Sequence, residues 1–182
     1  MPDNPTFHNL SLERHGNVFV LTMQKPPENR LNSSYCQEMI RAYRTVEKLL
    51  GPDSDGAVIT RGSDTKFWCT DILLAALVPL ALAHDYRVMN SRRGFISMPP
   101  VNLGLHFDGI GSLPRLKLRP QIARKMLLEA HKWTGKEALE DGIVDAVAEP
   151  EKMLDVALDL AAKWAPKAKM GRVTSAPAKA KI

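Results

Sequence analysis

The sequence predicts an α/β fold with a helical C-terminal part. In the first half of the chain, short apolar and β-branched runs alternate with an amphipathic helical segment. In the second half, helical segments follow one another with little strand between them. The 182 residues are 45% hydrophobic and 25% charged. That composition suits a chain with a buried core and argues against overall disorder.

The N-terminal segment predicts a hairpin followed by a helix. Leu10 and Leu12 alternate with polar residues, "HGN" is a turn sequence, and Val18–Met23 is a run rich in β-forming residues. A loop with two prolines, "QKPPENRLN", separates the hairpin from the helix. We predict the helix over Ser34–Leu50, with Ser34 and Gln37 as an S-x-x-Q capping box and Gly51-Pro52 at its end.

The middle of the chain predicts a strand and a ligand-binding loop. "GAVIT" indicates a buried strand of a parallel sheet, and the loop "RGSDTKFWCTD" follows its carboxyl end. Loops at that end of a strand gather ligands in α/β folds. An apolar helix ending near Ala83, a short strand over 86–89 and a hairpin-like "RRGFISM" are expected next.

The C-terminal part predicts three helices and one strand. Pro120 opens a helix that runs through Ala130. Thr134 and Glu137 form a capping box for a short helix stopped by Gly142, and "IVDAV" predicts a strand. Pro150 opens the last helix, whose apolar face comprises Met153, Leu154, Ala157, Leu158, Ala161 and Trp164. The Lys- and Ala-rich tail is expected to be mobile.

Composition argues against several classes of function. Cys36 and Cys69 form no CxxC pair, and no His/Cys cluster has zinc spacing, so we expect a reducing compartment and no metal. The net charge of +5 suits a small polyanionic ligand, whereas the 6% aromatic content gives little support to nucleic-acid binding. No secretory signal opens the sequence, and the apolar run over 72–83 is too short for a bilayer. We therefore expect no membrane or nucleic-acid partner.

Several motifs in fixed order resemble those of a known superfamily. "KPPENRLN", "PLALAHDYRV", "MPPVNLGL" and "GKEALEDGIVDAV" occur between Leu10 and Trp164. They are similar to the motifs of the crotonase superfamily, the enoyl-CoA hydratases and isomerases. The resemblance implies a crotonase-like spiral of ββα units and an acyl-CoA ligand, with coenzyme A as part of the substrate and no other cofactor. It also implies a homotrimer or a dimer of trimers, built through the C-terminal helices.

The resemblance divides the chain into three regions. Residues 1–116 would form the spiral core, 117–171 the helical trimerisation region, and 172–182 a mobile tail. The sequence departs from the family between "FWCTD" and "PLALAHD", because a helix, a strand and a glycine-rich turn are shorter or absent there. Abrupt junctions would follow Asp71, Val78 and Gly171. Either segments of a longer chain are missing, or the protein is a truncated relative.

The superfamily's chemistry passes through a thioester enolate held by two backbone N–H groups. By resemblance, the first of these lies in the loop that contains Trp68, Thr70 and Asp71, and Lys66 precedes it. Pro100 and Gly104 of "PPVNLGL" would lie at the substrate. The two carboxylates that a hydratase needs would fall at Pro79 and Pro100, and proline cannot supply them.

Asp108 is the candidate catalytic base. An isomerase that moves a double bond from position 3 to position 2 needs one base, and by resemblance Asp108 occupies its place. Its apolar neighbours, Leu105, Phe107 and Ile110, would desolvate it and raise its pKa. The alternatives are that Asp108 is the N-cap of a following helix, or that His106 is the base. His84 and Asp85 are expected to have structural roles.

Cations near the N-terminal loop would bind the CoA phosphates. Lys25 and Arg30 flank the "PPEN" loop, and Lys66 lies before the oxyanion loop.

The last three residues, "AKI", resemble a peroxisomal signal that an import receptor would read, and a cytoplasmic location is the alternative. The sequence therefore predicts an enoyl-CoA isomerase. A hydratase or another crotonase activity, and a non-catalytic acyl-CoA-binding protein, are the alternatives.

Overall fold

The computed structural model describes residues 6–25, 29–52, 54–63, 74–106 and 108–168. They fall into two compact units. The first unit contains the described residues of 1–24, 32–63 and 158–182, and the second contains those of 25–31 and 64–157. Each unit is described by itself. The predicted boundaries at 116/117 and 171/172 stay a prediction.

The first unit contains a three-stranded sheet in the order β1-β2-β3. Strand β1 (Leu10–His15) pairs antiparallel with β2 (Val18–Met23), and β2 pairs parallel with β3 (Ala57–Gly62). The turn of the hairpin has Gly16 at φ 61°, a conformation in which glycine is the least strained residue. Every residue of the central strand β2 is buried, and this explains why β2 is an apolar run with no polar alternation. The predicted hairpin and the parallel pairing of β3 are confirmed, but the expectation that this strand is buried is wrong, because residues 57–61 are only half-buried.

Helix α1 (Ser33–Leu50) follows the N-terminal loop and belongs to the first unit. Its N-cap is Asn32, whose side-chain oxygen accepts from the N–H of Tyr35 at 2.9 Å. The predicted capping box of Ser34 and Gln37 is therefore wrong: the Ser34 hydroxyl is already inside the helix and donates to Asn32 Oδ1 at 3.0 Å. Gly51 ends the helix at φ 74°, as expected.

The second unit is mainly helical and carries one pair of short parallel strands. Its elements are α2 (Leu74–Ala83), β4 (Val88–Asn90), a 3₁₀ turn (Pro99–Leu103), α3 (Ser112–Lys117), α4 (Pro120–Leu128), α5 (Gly135–Glu140), β5 (Ala146–Ala148), a 3₁₀ turn (Pro150–Lys152) and the start of α6 (Met153–Trp164). Strands β4 and β5 pair in parallel. The predicted hairpin over 92–98 is wrong, because Ile96 instead forms an antiparallel bridge with Trp133.

The core of the second unit surrounds Trp133, which is fully buried. Its members come from α2, from the segment before the first 3₁₀ turn, from α4 and from the α5–β5 region: Val78, Leu82, Met98, Leu118, Ile122, Ala123, Met126, Trp133, Ala138, Ile143 and Val144. The indole N–H of Trp133 donates to Asp141 at 2.9 Å, so burial of this large ring leaves its polar atom bonded. The capping box of Thr134 and Glu137 at the start of α5 is confirmed.

Arg87 joins β4 to the segment before β5. Its guanidinium donates to the carbonyls of Ile143 at 2.6 Å and His84 at 2.8 Å, and its backbone N–H donates to Asp145 at 2.7 Å. Asp85 lies 3.7 Å from Lys117 in an exposed ion pair. His84 and Asp85 thus have structural contacts. We call Arg87, Asp145, Trp133 and Asp141, with β4 and β5, the β4–β5 frame.

Helices α2 and α6 relate to two predictions, the abrupt junctions in the chain and the apolar face of the last helix. Helix α2 runs without interruption through Val78 and Pro79, and the junction predicted after Asp71 lies outside the described residues. None of the residues of α6 is buried, although one face of this helix is apolar. In the parts of the chain that the structure describes, we find no helix long and apolar enough to cross a membrane.

Candidate functional site

A groove of about 470 Å³ lies in the second unit between the first 3₁₀ turn, α3 and the end of α4. Most of its wall is apolar, and the polar exceptions are an imidazole, a hydroxyl and a guanidinium. The lining residues are Met98, Pro100, Val101, Leu105, His106, Gly109, Ile110, Gly111, Ser112, Arg115, Leu127 and Leu128. The volume suits an organic ligand of moderate size.

Two glycines shape the segment that lines this groove. Gly104 ends the 3₁₀ turn in the left-handed conformation at φ 64°, and Leu105 returns a hydrogen bond to the carbonyl of Pro100 at 3.0 Å. Gly109, at φ 75°, precedes α3, and its carbonyl accepts from Ser112 at 3.0 Å. The chain therefore turns sharply twice, and residues on both sides of these turns face one groove.

Asp108 lies between two lining residues of the groove, but its carboxylate points into solvent. Its side chain is fully exposed, and Oδ1 lies 3.8 Å from Nε2 of His106, which is 86% exposed. The expectation that apolar neighbours would desolvate Asp108 is wrong in this structure, because Leu105 is itself 42% exposed. The N-cap alternative is also wrong: α3 begins after Gly111 and has no side-chain cap.

The structure places Pro100 and Gly104, two of the predicted substrate-binding residues, at the groove. Pro100 is buried in the groove wall, and Gly104 sets the turn beside it. Pro79, the other position where a hydratase carboxylate would fall, lies inside α2. Lys66, Trp68, Thr70 and Asp71 lie outside the described residues.

The predicted CoA-binding cations lie on a tight loop. Asn29, at φ 51°, accepts from the N–H of Lys25 through its side chain at 2.8 Å and donates its own N–H to the Lys25 carbonyl at 2.7 Å. The Lys25 ammonium donates to the carbonyl of Arg30 at 2.7 Å. Lys25 therefore closes this loop, whereas the Arg30 side chain is exposed. Phosphate binding by these two residues stays a prediction.

Sequence reasoning missed Arg115. It lies on α3 one turn after Gly111, and its Nε is close enough that a Cβ at Gly111 would meet it at 3.2 Å. An isolated arginine in a helix usually indicates a solvated surface charge, so no sequence signal separated it from its neighbours. Only the packing of α3 against Leu127 places it in the groove wall.

The described carboxylates with perturbed pKa values are not among the residues that line the groove. Burial alone raises the pKa of Glu38, but hydrogen bonds from the side chain and N–H of Asn9 and from the N–H of His8, with the charge of Arg41, bring it below its ordinary value. Hydrogen bonds from Thr134 lower the pKa of Glu137 in the α5 capping box. Both groups stabilise local structure. Among the described residues, His, Cys, Asp and Glu form no group of three that could hold a metal ion.

Comparisons with known proteins agree with the motifs. The Enoyl-CoA hydratase/isomerase family model matches residues 73–179, which is more than half of the chain. A 76-residue segment is 42% identical to the peroxisomal enoyl-CoA delta isomerase 2 of Arabidopsis thaliana, covering 41% of this chain and 32% of that protein. A 91-residue segment is 36% identical to the fatty acid oxidation complex subunit alpha of Pseudomonas syringae, covering 49% and 12%. The matches thus span less than two thirds of these curated relatives.

Solved structures extend the likeness to most of the chain. An enoyl-CoA isomerase of Mycobacterium tuberculosis superposes with a TM-score of 0.78 at 16% identity, covering 92% of this chain and 88% of that one. DspI of Pseudomonas aeruginosa gives 0.78 at 19% identity, covering 93% and 85%. These likenesses confirm the predicted crotonase-like α/β fold. With the family match, they establish that the chain belongs to the enoyl-CoA hydratase/isomerase family.

Proposed function

We propose that this protein is an acyl-CoA enzyme that moves the double bond of a 3-enoyl-CoA to position 2, with Asp108 as the proton-transfer base. The observation that carries the proposal is the groove with one carboxylate beside it. Among the described lining residues there is no Asp or Glu, and Asp108 lies between two of them, His106 and Gly109. One carboxylate is what a 1,3-proton shift needs.

In the proposed reaction, the Asp108 carboxylate removes a proton from C2 of the thioester. The C2–H electron pair forms a C1–C2 double bond and the carbonyl pair moves onto the thioester oxygen, which gives a dienolate with its other double bond still between C3 and C4. The proton then returns at C4, and the double bond ends between C2 and C3. By resemblance, the oxyanion donors would include the loop around Thr70. Because Asp108 is exposed, the bound acyl-CoA must itself exclude water from the carboxylate.

Hydration is the second candidate, and the two prolines count against it. Addition of water across a double bond uses two carboxylates in this superfamily, and their places fall at Pro79 and Pro100. A hydratase would therefore need other groups to hold the water. A protein that binds acyl-CoA without turnover is the third candidate, and the same prolines are its best support.

Assembly and location are also proposals. We infer a homotrimer or a dimer of trimers, because the apolar face of α6 has no buried residue within its own chain. We infer a peroxisomal address from the C-terminal "AKI", supported by the isomerase of Arabidopsis whose name includes that compartment. Light scattering that gives a monomer mass, or a cytosolic reporter fused to the last residues, would overturn these inferences.

Asp108→Asn tests the catalytic proposal. We expect a loss of at least 100-fold in the rate of 3-hexenoyl-CoA isomerisation, retained binding of hexanoyl-CoA and an unchanged melting temperature. His106→Gln is the matched variant, since His106 contacts Asp108 and lines the groove. If His106→Gln abolishes turnover and Asp108→Asn does not, the base is His106. If neither variant changes a measurable rate, Asp108 is not the base.

A further inference from the structure

Arg115 is a cation in the wall of the groove. Among the described residues that line the groove it is the only Arg or Lys, and Met98, Val101, Leu105, Ile110, Leu127 and Leu128 supply the apolar wall. Within the described parts of the chain, no acid lies within ion-pair distance of the Arg115 guanidinium. The neighbouring cations Lys117, Arg119 and Arg124 each pair with an acid: Asp85, Asp141 and Glu129.

This arrangement points to an amphipathic ligand. We propose that the acyl chain bound in this groove ends in a carboxylate and that Arg115 binds it, so that the enzyme prefers dicarboxylyl-CoA substrates over fatty acyl-CoAs. The inference rests on the proposed acyl-CoA function and adds the class of acyl group. A planar guanidinium matches a carboxylate in a bidentate geometry, and the surrounding apolar wall suits the methylene chain.

The position of Arg115 sets the length of the preferred chain. Arg115 follows Gly111, the N-cap of α3, by four residues, and its Nε would lie 3.2 Å from a Cβ at Gly111. The guanidinium therefore reaches back to the start of α3, which follows Asp108 closely in the chain. We expect a short acyl group, for which six carbons is the first length to test.

A CoA phosphate is the other anion that a free arginine could bind. The groove favours the carboxylate, because its volume is about 470 Å³ and its walls are mainly apolar, whereas the phosphates of CoA need several cations. The two sources are separable, because a phosphate is common to all acyl-CoAs and a terminal carboxylate is not.

The test compares two saturated ligands that differ at one end. Binding of hexanedioyl-CoA and hexanoyl-CoA is measured by calorimetry on the full chain, so it needs no turnover. We expect wild type to bind hexanedioyl-CoA about tenfold more tightly, and Arg115→Met to remove that preference. Arg115→Lys should keep part of it. Arg124→Met, which also removes one exposed charge from this unit, should leave the preference unchanged.

The other outcomes separate a failure of the carboxylate site from a failure of the acyl-CoA proposal. Equal binding of both ligands by wild type would exclude a carboxylate site. A loss of affinity for both ligands in Arg115→Met would place the arginine at the CoA phosphates. If neither ligand binds, the acyl-CoA proposal itself fails. Turnover of 3-hexenedioyl-CoA and 3-hexenoyl-CoA then tests isomerisation separately: tight binding of hexanedioyl-CoA with no turnover of either would remove the proposed activity and keep the carboxylate site.

Discussion

The β4–β5 frame and the groove belong to the same unit, yet they use the same residue types in opposite ways. In the frame, the guanidinium of Arg87 donates to two backbone carbonyls and lies 3.7 Å from the carboxylate of Asp145, and the indole of Trp133 donates to Asp141. At the groove, the guanidinium of Arg115 has no acid partner among the described residues, and the Asp108 carboxylate is fully exposed.

The polar groups of the frame stabilise the fold, whereas those of the groove are available to a ligand. A partnered polar group inside a protein contributes to folding, and its loss leaves a buried donor or acceptor without a bond. A charged group left unpaired beside an apolar wall contributes little to folding, and its interaction remains for a ligand. Substitutions in the two regions should therefore change different measurements.

Removal of the Trp133 ring should cause the largest loss of stability. The ring is fully buried, and Trp133→Ala would leave a large cavity and an unbonded Asp141 oxygen. We expect a loss of about 3–5 kcal/mol in the free energy of unfolding, measured with urea. The matched apolar truncation at the groove is Leu128→Ala. Because Leu128 is 64% exposed, its loss should be below about 1 kcal/mol. Equal losses would contradict the distinction between the two regions.

Replacement of the frame arginine should have the next largest effect. Arg87→Met would remove the guanidinium that donates to the carbonyls of Ile143 and His84, and we expect a loss of about 2–3 kcal/mol in urea denaturation. Arg115→Met should leave the unfolding free energy within about 0.5 kcal/mol of wild type. A destabilised Arg115→Met would mean that this arginine supports the fold, and would weaken its assignment to a ligand.

The sequence predicted the local elements well, because their signals are local. The hairpin, α1 and the capping box of α5 follow from turn residues, helical spacing and the Thr134–Glu137 pair. The predicted hairpin over 92–98 failed because the pairing that decides it, between Ile96 and Trp133, joins residues far apart in the chain. Local propensity carries no information about such a partner.

The sequence motif and the groove coincide at Pro100, whereas the exposure of Asp108 was not predictable from the sequence, and the roles of these residues stay a prediction. "PPVNLGL" pointed to Pro100, and the structure places that residue in the groove wall with His106 nearby. The apolar neighbours of Asp108 in the sequence suggested a desolvated carboxylate, but exposure depends on how those neighbours pack, and Leu105 stays 42% exposed. Arg115 was missed for the same reason, since only the packing of α3 brings it to the groove.

In the first unit, Glu38 is a buried polar group with bonded partners, like those of the frame, and it makes the stability of the fold depend on pH. This buried carboxylate accepts from the N–H groups of His8 and Asn9, and its pKa lies below its ordinary value of 4.5. Its contribution to stability is thus present above pH 4.5 and is lost as the pH falls through its folded-state pKa. We expect Glu38→Gln to reduce the fall in melting temperature between pH 6 and pH 3.

The control for Glu38 is an exposed glutamate on the same helix. Glu47→Gln removes one carboxylate from α1 without removing a buried hydrogen-bond acceptor. It should keep the wild-type fall in melting temperature over this pH range. An identical pH profile for Glu38→Gln and wild type would show that the Glu38 carboxylate does not contribute to the acid sensitivity of the first unit.

The smallest expected effect concerns the start of α1, where two neighbouring polar residues were candidates for the cap. Asn32 Oδ1 accepts from the N–H of Tyr35 at 2.9 Å, so Asn32→Ala should cost about 1 kcal/mol of unfolding free energy. The Ser34 hydroxyl donates to that same Asn32 oxygen at 3.0 Å and, among the described residues, accepts from no backbone N–H. Ser34→Ala should therefore cost less than about 0.5 kcal/mol, because alanine is also the better helix former at this position. Urea denaturation of both variants decides the assignment. A larger loss for Ser34→Ala than for Asn32→Ala would restore the serine as the cap and shift the start of α1 by two residues.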